Sequence, residues 1–172
     1  MVSNVSEPEV WLRGSVPAIP ALLQPVAHSL LQCREELTAR VTGLTPAQIW
    51  ARPGGAGSIG FHARHAAGSL DRLFTYARGE MLNDAQKAAA RAEAQDHPDL
   101  DGAALIGIVS AAVERALGQL RSTDPSTLLD ARKIGRAGLP STVIGCLFHG
   151  AEHTTRHAGQ FISTVKILQA AG

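Results

Sequence analysis

The chain has 172 residues, with 16 Lys plus Arg against 15 Asp plus Glu, and its net charge of +1 supplies neither a basic field to gather nucleic acid nor an acidic one to repel it. Hydrophobic residues make up 45% and charged residues 18%, which excludes the polar composition of a disordered chain. A chain of this length can bury roughly 70% of its unfolded surface in one core, so a single domain over residues 1–172 is expected, with 1–17 as an irregular N-terminal segment.

Apolar residues recur at three and four rather than at two, so the periodicity predicts an all-α protein. A first long helix is expected from about Pro20 to Arg40, with Leu22, Leu23, Val26, Leu30, Cys33 and Leu37 on one stripe. TGLTPAQIW reads as a turn and a short helix capped by Thr45, with Pro46 at its first position. The glycine-rich RPGGAGS breaks the chain, and Ser58 can cap a second long helix running to about Glu80. Its GGAG run is a turn, because no strand precedes it and no Lys-Ser pair follows to make a phosphate cradle.

The polar stretch NDAQKAAARAEAQDHPD is helix-prone and is expected on the surface, stopped by Pro98. Asp101 can cap a third long helix to about Leu120, burying Leu105, Ile108, Val109, Ala112 and Leu117. STDPSTLLD and ARKIGRAGLP read as a turn followed by an exposed loop or short hairpin, in which the basic Arg132 to Arg136 segment could attract an anion. A fourth long helix is expected to start near Pro140 and Ser141 and to run almost to the end. The simplest packing is a four-helix bundle with short additional helices.

Two cysteines, Cys33 and Cys146, lie far apart and outside any CxxC spacing, which argues for small apolar core residues in a reduced, cytoplasmic setting. The opening residues lack a basic start followed by an apolar run, and no apolar stretch of ~18 or more residues is read from the sequence, so neither targeting nor a membrane is expected.

Five of the seven histidines fall in two clusters, His62 with His65 on the second predicted helix and His149, His153 and His157 on the fourth. A helix turns about 100° per residue, so His153 and His157 share a face and can meet one ion. Neutral imidazole suits zinc, nickel or iron(II), and facing helices of a bundle can complete such a site. His65 is preferred to His62 as the third ligand, because Phe61, Ala66, Leu73 and Tyr76 place it nearer the core side. His149 continues the stripe as a further candidate, while His28 and His97 have no clustered partner. Against all of this stands the plainer reading that isolated helical histidines are hydrogen-bonded core or surface residues.

SIGFHARHAAGSLDRL and EHTTRHAGQ resemble segments of the DinB superfamily, which includes YfiT-like metalloenzymes and several bacterial thiol S-transferases. The resemblance maps the family's histidine ligands onto His65, His153 and His157, and His62 and His149 are additional candidates beside them. It implies a four-helix bundle of unusual helix order and, frequently, a homodimer.

Three neutral ligands would leave a divalent ion its full charge and an open position. The function expected is metal-dependent transfer of a low-molecular-weight thiol to an electrophilic small molecule, with hydrolysis, a non-catalytic metal-binding or stress-response role, or a metal-free helical interaction module as alternatives. Gln160 lies three residues after His157 and could orient a ligand. Glu152 and Arg156 could act as proton acceptor and anion clamp; their plainer reading is an exposed pair at i and i+4, and Arg64 shares that ambiguity.

Overall fold

Side-chain caps mark where the helices begin. Thr45 Oγ1 accepts from Gln48 N at 3.2 Å while Gln48 Oε1 accepts from Thr45 N at 2.9 Å, a reciprocal capping box. Ser58 Oγ accepts from Phe61 N at 3.1 Å, Asn83 Oδ1 from Gln86 N at 2.8 Å and Asp101 Oδ1 from Ala104 N at 2.8 Å. Each such cap contributes about 0.5–2 kcal/mol and fixes the residue at which a helix enters the fold. The computed structural model describes residues 7–170. In it these caps open α2 (Pro46–Trp50), α3 (Ile59–Ala77), α4 (Asp84–Ala92) and α5 (Gly102–Ser122). α1 (Gln24–Val41) follows a 3₁₀ turn, and α6 (Val143–Ala170) follows a two-stranded antiparallel hairpin, β1 (Ala131–Ile134) with β2 (Leu139–Thr142).

The fold is all-α apart from that hairpin. The four long helices pack in a cycle, α3 against α6 and α5, and α1 against α6 and α5. Leu30 and Leu37 of α1, Leu70 of α3, Leu105, Val113 and Leu120 of α5, and Leu147 and Phe161 of α6 fill the space between them. Burying one such side chain fully stabilises by roughly 1.5–3 kcal/mol, which makes this interior the main reason the helices hold their register. Gly150 lets α6 approach α3 closely: a methyl group there would lie 2.9 Å from Phe74 Cε2 and 3.3 Å from Leu70 Cδ1. That close approach, one turn before His153, brings the histidines of α6 onto those of α3.

The residues between 7 and 17 run beside α1. Val10 N donates to Gln32 Oε1 at 2.9 Å, and Arg13 makes two hydrogen bonds of 2.8 Å to the Glu35 carboxylate.

Several expectations are corrected. Leu22 is 69% exposed, because it lies in a 3₁₀ turn (Ala21–Leu23) whose three-residue period is out of phase with the α1 stripe. Ile108 is 37% exposed, at the margin of a face whose centre is Leu105, Val109 and Ala112. Pro140 and Ser141 do not open α6: they pair with Lys133 and Arg132 in the hairpin, and the helix begins at Val143. α5 is long and apolar enough, by length and composition, to cross a membrane, contrary to the reading that no segment is. Its apolar face is instead committed to α1 and α3 in the core.

Candidate metal centre

α6 carries His153 and His157 on one face, and α3 presents His65 opposite them. One ring nitrogen from each of the three lies within 4.8 Å of the others. His65 Nε2 and His153 Nε2 are 3.0 Å apart, and the His65 ring centroid is 4.5 Å from that of His157. All three rings are half-buried. Phe61 closes one side by stacking on His65, with centroids 5.3 Å apart and planes inclined by 18°, and it meets His62 and His157 edge-on.

Protonation of His157, His153 and His62 is suppressed. Burial, then the nearby His65 and His153, pushes His157 down to about 4. Burial and His65 also lower His153, and the same two causes lower His62 against an opposing backbone hydrogen bond at Gly57. These three imidazoles, uncharged at neutral pH, keep lone pairs available to a cation.

Behind His65 sits Glu93, a residue that sequence reasoning missed. It immediately follows α4 and is 7% exposed, and its Oε2 lies 2.7 Å from His65 Nδ1. Arg72 donates to both carboxylate oxygens, one turn further along α3 than Gly68. Burial alone would push the Glu93 carboxyl up, but the hydrogen bond from His65 and the hydrogen bonds and charge of Arg72 outweigh it and hold the group below its ordinary value. Arg64 does not reach a site mouth; its guanidinium donates to the carbonyls of Ala92 at 3.0 Å and Gln95 at 2.6 Å, fastening the end of α4.

The remaining sequence candidates fall around this cluster. His62 is buried, with its Nδ1 3.0 Å from His157 Nδ1 and its Nε2 beside Gly57. His149 is exposed, and its Nδ1 is 3.3 Å from Glu152 Oε2. Glu152 accepts from Arg156 as an i and i+4 pair, with an Nε–H contact of 3.1 Å, and both line a groove between α1 and α6 that includes Phe148. Gln160 is exposed. Arg132 Nε donates to Ala77 O at 2.8 Å and so ties the hairpin to the end of α3. His28 Nε2 meets Gly14 O at 3.0 Å, and His97 is exposed. Cys33 and Cys146 are buried with thiols pushed up by that burial, the opposite of an activated nucleophile.

The triad fits a divalent metal ion. With bonds of about 2.0–2.1 Å in a tetrahedral arrangement, two imidazole ligands of one zinc stand roughly 3.3–3.4 Å apart, close to the His65 to His153 spacing. His153 Nδ1 is one of two buried side-chain polar atoms without a hydrogen-bond partner among the described residues. Among the described residues no thiolate or carboxylate joins the three nitrogens, so the donor set suits zinc, nickel or iron.

A family model described as the DinB superfamily matches residues 29–161, a span that includes every histidine of this cluster and Glu93. No curated protein matches the chain.

Proposed function

Since the chain belongs to the DinB superfamily, we propose that it is a metal-dependent enzyme that transfers a low-molecular-weight thiol to an electrophilic small molecule. The observation that carries this reading is the convergence of His65, His153 and His157, each offering a nitrogen within 4.8 Å of the others. A divalent ion held there, zinc or nickel first and iron next, would lower the pKa of a thiol toward neutrality.

The protein's own groups then have definite tasks. The three imidazoles would hold the ion, and Phe61, packed on His65 and His157, would shield those rings from water. Arg156, flanking His157, attracts an anionic thiol or substrate, and its partner Glu152 accepts the proton that the thiol loses. Gln160 orients the incoming molecule from the next turn of α6.

Elemental analysis of protein purified without chelator, beside His65→Ala, His153→Ala and His157→Ala, is the first test. About one ion per chain, lost in each variant, is the expected result; wild type that stays empty when offered zinc, nickel and iron overturns the metal reading. Metal-loaded protein is then given thiols and electrophiles together. Turnover that requires the thiol supports transfer, thiol-independent turnover replaces it with hydrolysis, and metal that raises the melting temperature without turnover leaves a non-catalytic metal-binding protein.

A further inference from the structure

We propose that Glu93 is a positioning residue of the metal centre, holding His65 in the single tautomer and orientation that present Nε2 to the ion. This rests on the metal reading above and adds to it a residue outside the three ligands.

The hydrogen-bond inventory forces the tautomer. Glu93 is an ionised carboxylate held by Arg72, so it can only accept, and the proton between it and His65 must sit on Nδ1. A neutral imidazole protonated at Nδ1 carries its lone pair on Nε2, and Nε2 is the atom facing His153 at 3.0 Å. Metal-binding histidines commonly give their second N–H to a carboxylate in this way, which fixes the ring and raises its basicity. Phe61 restrains the same ring from its face, so edge and face are both held.

The surroundings are shaped to keep the carboxylate in place. Gly68 lies on α3 between His65 and Arg72, and a methyl group there would overlap Glu93 Oε1 and lie 2.9 Å from Arg72 Nη1. Only glycine leaves the gap that admits the Glu93 side chain. Arg64 grips the carbonyls on either side of Glu93, so the backbone from which it reaches is anchored as well. An Arg72–Glu93 ion pair serving stability alone would not need an oxygen at 2.7 Å from His65 Nδ1.

The test is Glu93→Gln, which keeps the size and reverses the hydrogen-bond logic. Arg72 can donate only to the amide oxygen, so the amide nitrogen turns to His65 Nδ1, which must then accept and send its proton to Nε2. In the metal-free protein, ring ¹H–¹⁵N correlation spectra should show His65 protonated at Nδ1 in wild type and at Nε2 in the variant. Zinc affinity, read by competition with a chromophoric chelator, should weaken by about 10–100-fold. If Glu93→Gln fails to fold, Gly68→Ala moves the carboxylate while keeping every polar group, and the same weakening is expected there. Wild type that binds zinc, with a variant of equal affinity and unchanged tautomer, overturns the role of Glu93 and leaves the metal centre standing. Wild type that binds no zinc overturns the metal centre and this role with it.

Discussion

Gly68→Ala isolates the energetic cost of the Glu93 niche. In the middle of α3 the substitution by itself should stabilise by about 1 kcal/mol, because alanine is the better helix former. The added methyl would overlap Glu93 Oε1, and the carboxylate is the flexible end of a side chain, so it can swing away without straining the backbone. The cost is therefore the polar contacts it abandons, to His65 and to Arg72. With one of these bonds lost outright and the others re-formed after the shift, the loss costs about 1.5–3 kcal/mol, so the net change should be a destabilisation of about 0.5–2 kcal/mol. In a Glu93→Ala background only the flexible Arg72 guanidinium, with Nη1 2.9 Å from the methyl, has to shift, and the same substitution should stabilise by up to about 1 kcal/mol. Urea denaturation of the four proteins gives the coupling directly, and about 1.5–3 kcal/mol is expected from the two opposite signs. Stabilisation by Gly68→Ala in both backgrounds would refute the claim that the two residues share one space.

Metal-free protein should lose stability as pH falls from about 6.5 toward about 4: His157 titrates near 4 when folded, so the unfolded chain takes up its proton first, and His62 and His153 act in the same direction. Urea midpoints at pH 7, 5.5 and 4.5 check this, and a flat series contradicts it. Gly60→Ala would place a methyl 2.8 Å from Trp50 Cε3, so it should destabilise by about 1–3 kcal/mol and shift the fluorescence of that ring; a gain in stability would show that the indole yields freely. The exposed Glu152–Arg156 pair should show a coupling of only about 0.3–0.5 kcal/mol in a double-mutant cycle on stability, and several times that value would mean a larger structural role than its exposure allows.

What could be read from the sequence was whatever depends on local spacing. The i and i+4 interval of His153 and His157, the Ser58 and Thr45 caps, and the hairpin option for ARKIGRAGLP all follow from residues close along the chain, and each is present. Choosing His65 over His62 rested on a helical-face argument, and the two rings do lie differently, one in the cluster and the other against its His157 edge. Glu93 was invisible because its partners are 28 and 21 residues away, and the stretch that carries it has the composition of a solvated surface. Nothing local distinguishes a glutamate that turns inward from its exposed neighbours. Leu22 and the start of α6 were misplaced for a related reason: a 3₁₀ turn and a strand pairing each interrupted a pattern that had been extended as a uniform helix.

α4 buries none of its own residues, yet the buried carboxylate behind His65 directly follows it. It is held to α3 largely by polar ties: Arg64 at one end, and at the other Gln86, which donates to Asp71 Oδ2 at 2.7 Å and Thr75 Oγ1 at 2.8 Å. Such an element can detach as a unit at a free energy well below that of global unfolding. Its amides should exchange with deuterium sooner than those of α3 and α6. Each opening would release His65 from its carboxylate while the four long helices stay packed, so a bound metal would be held less tightly during each departure of this short helix although the core has not melted.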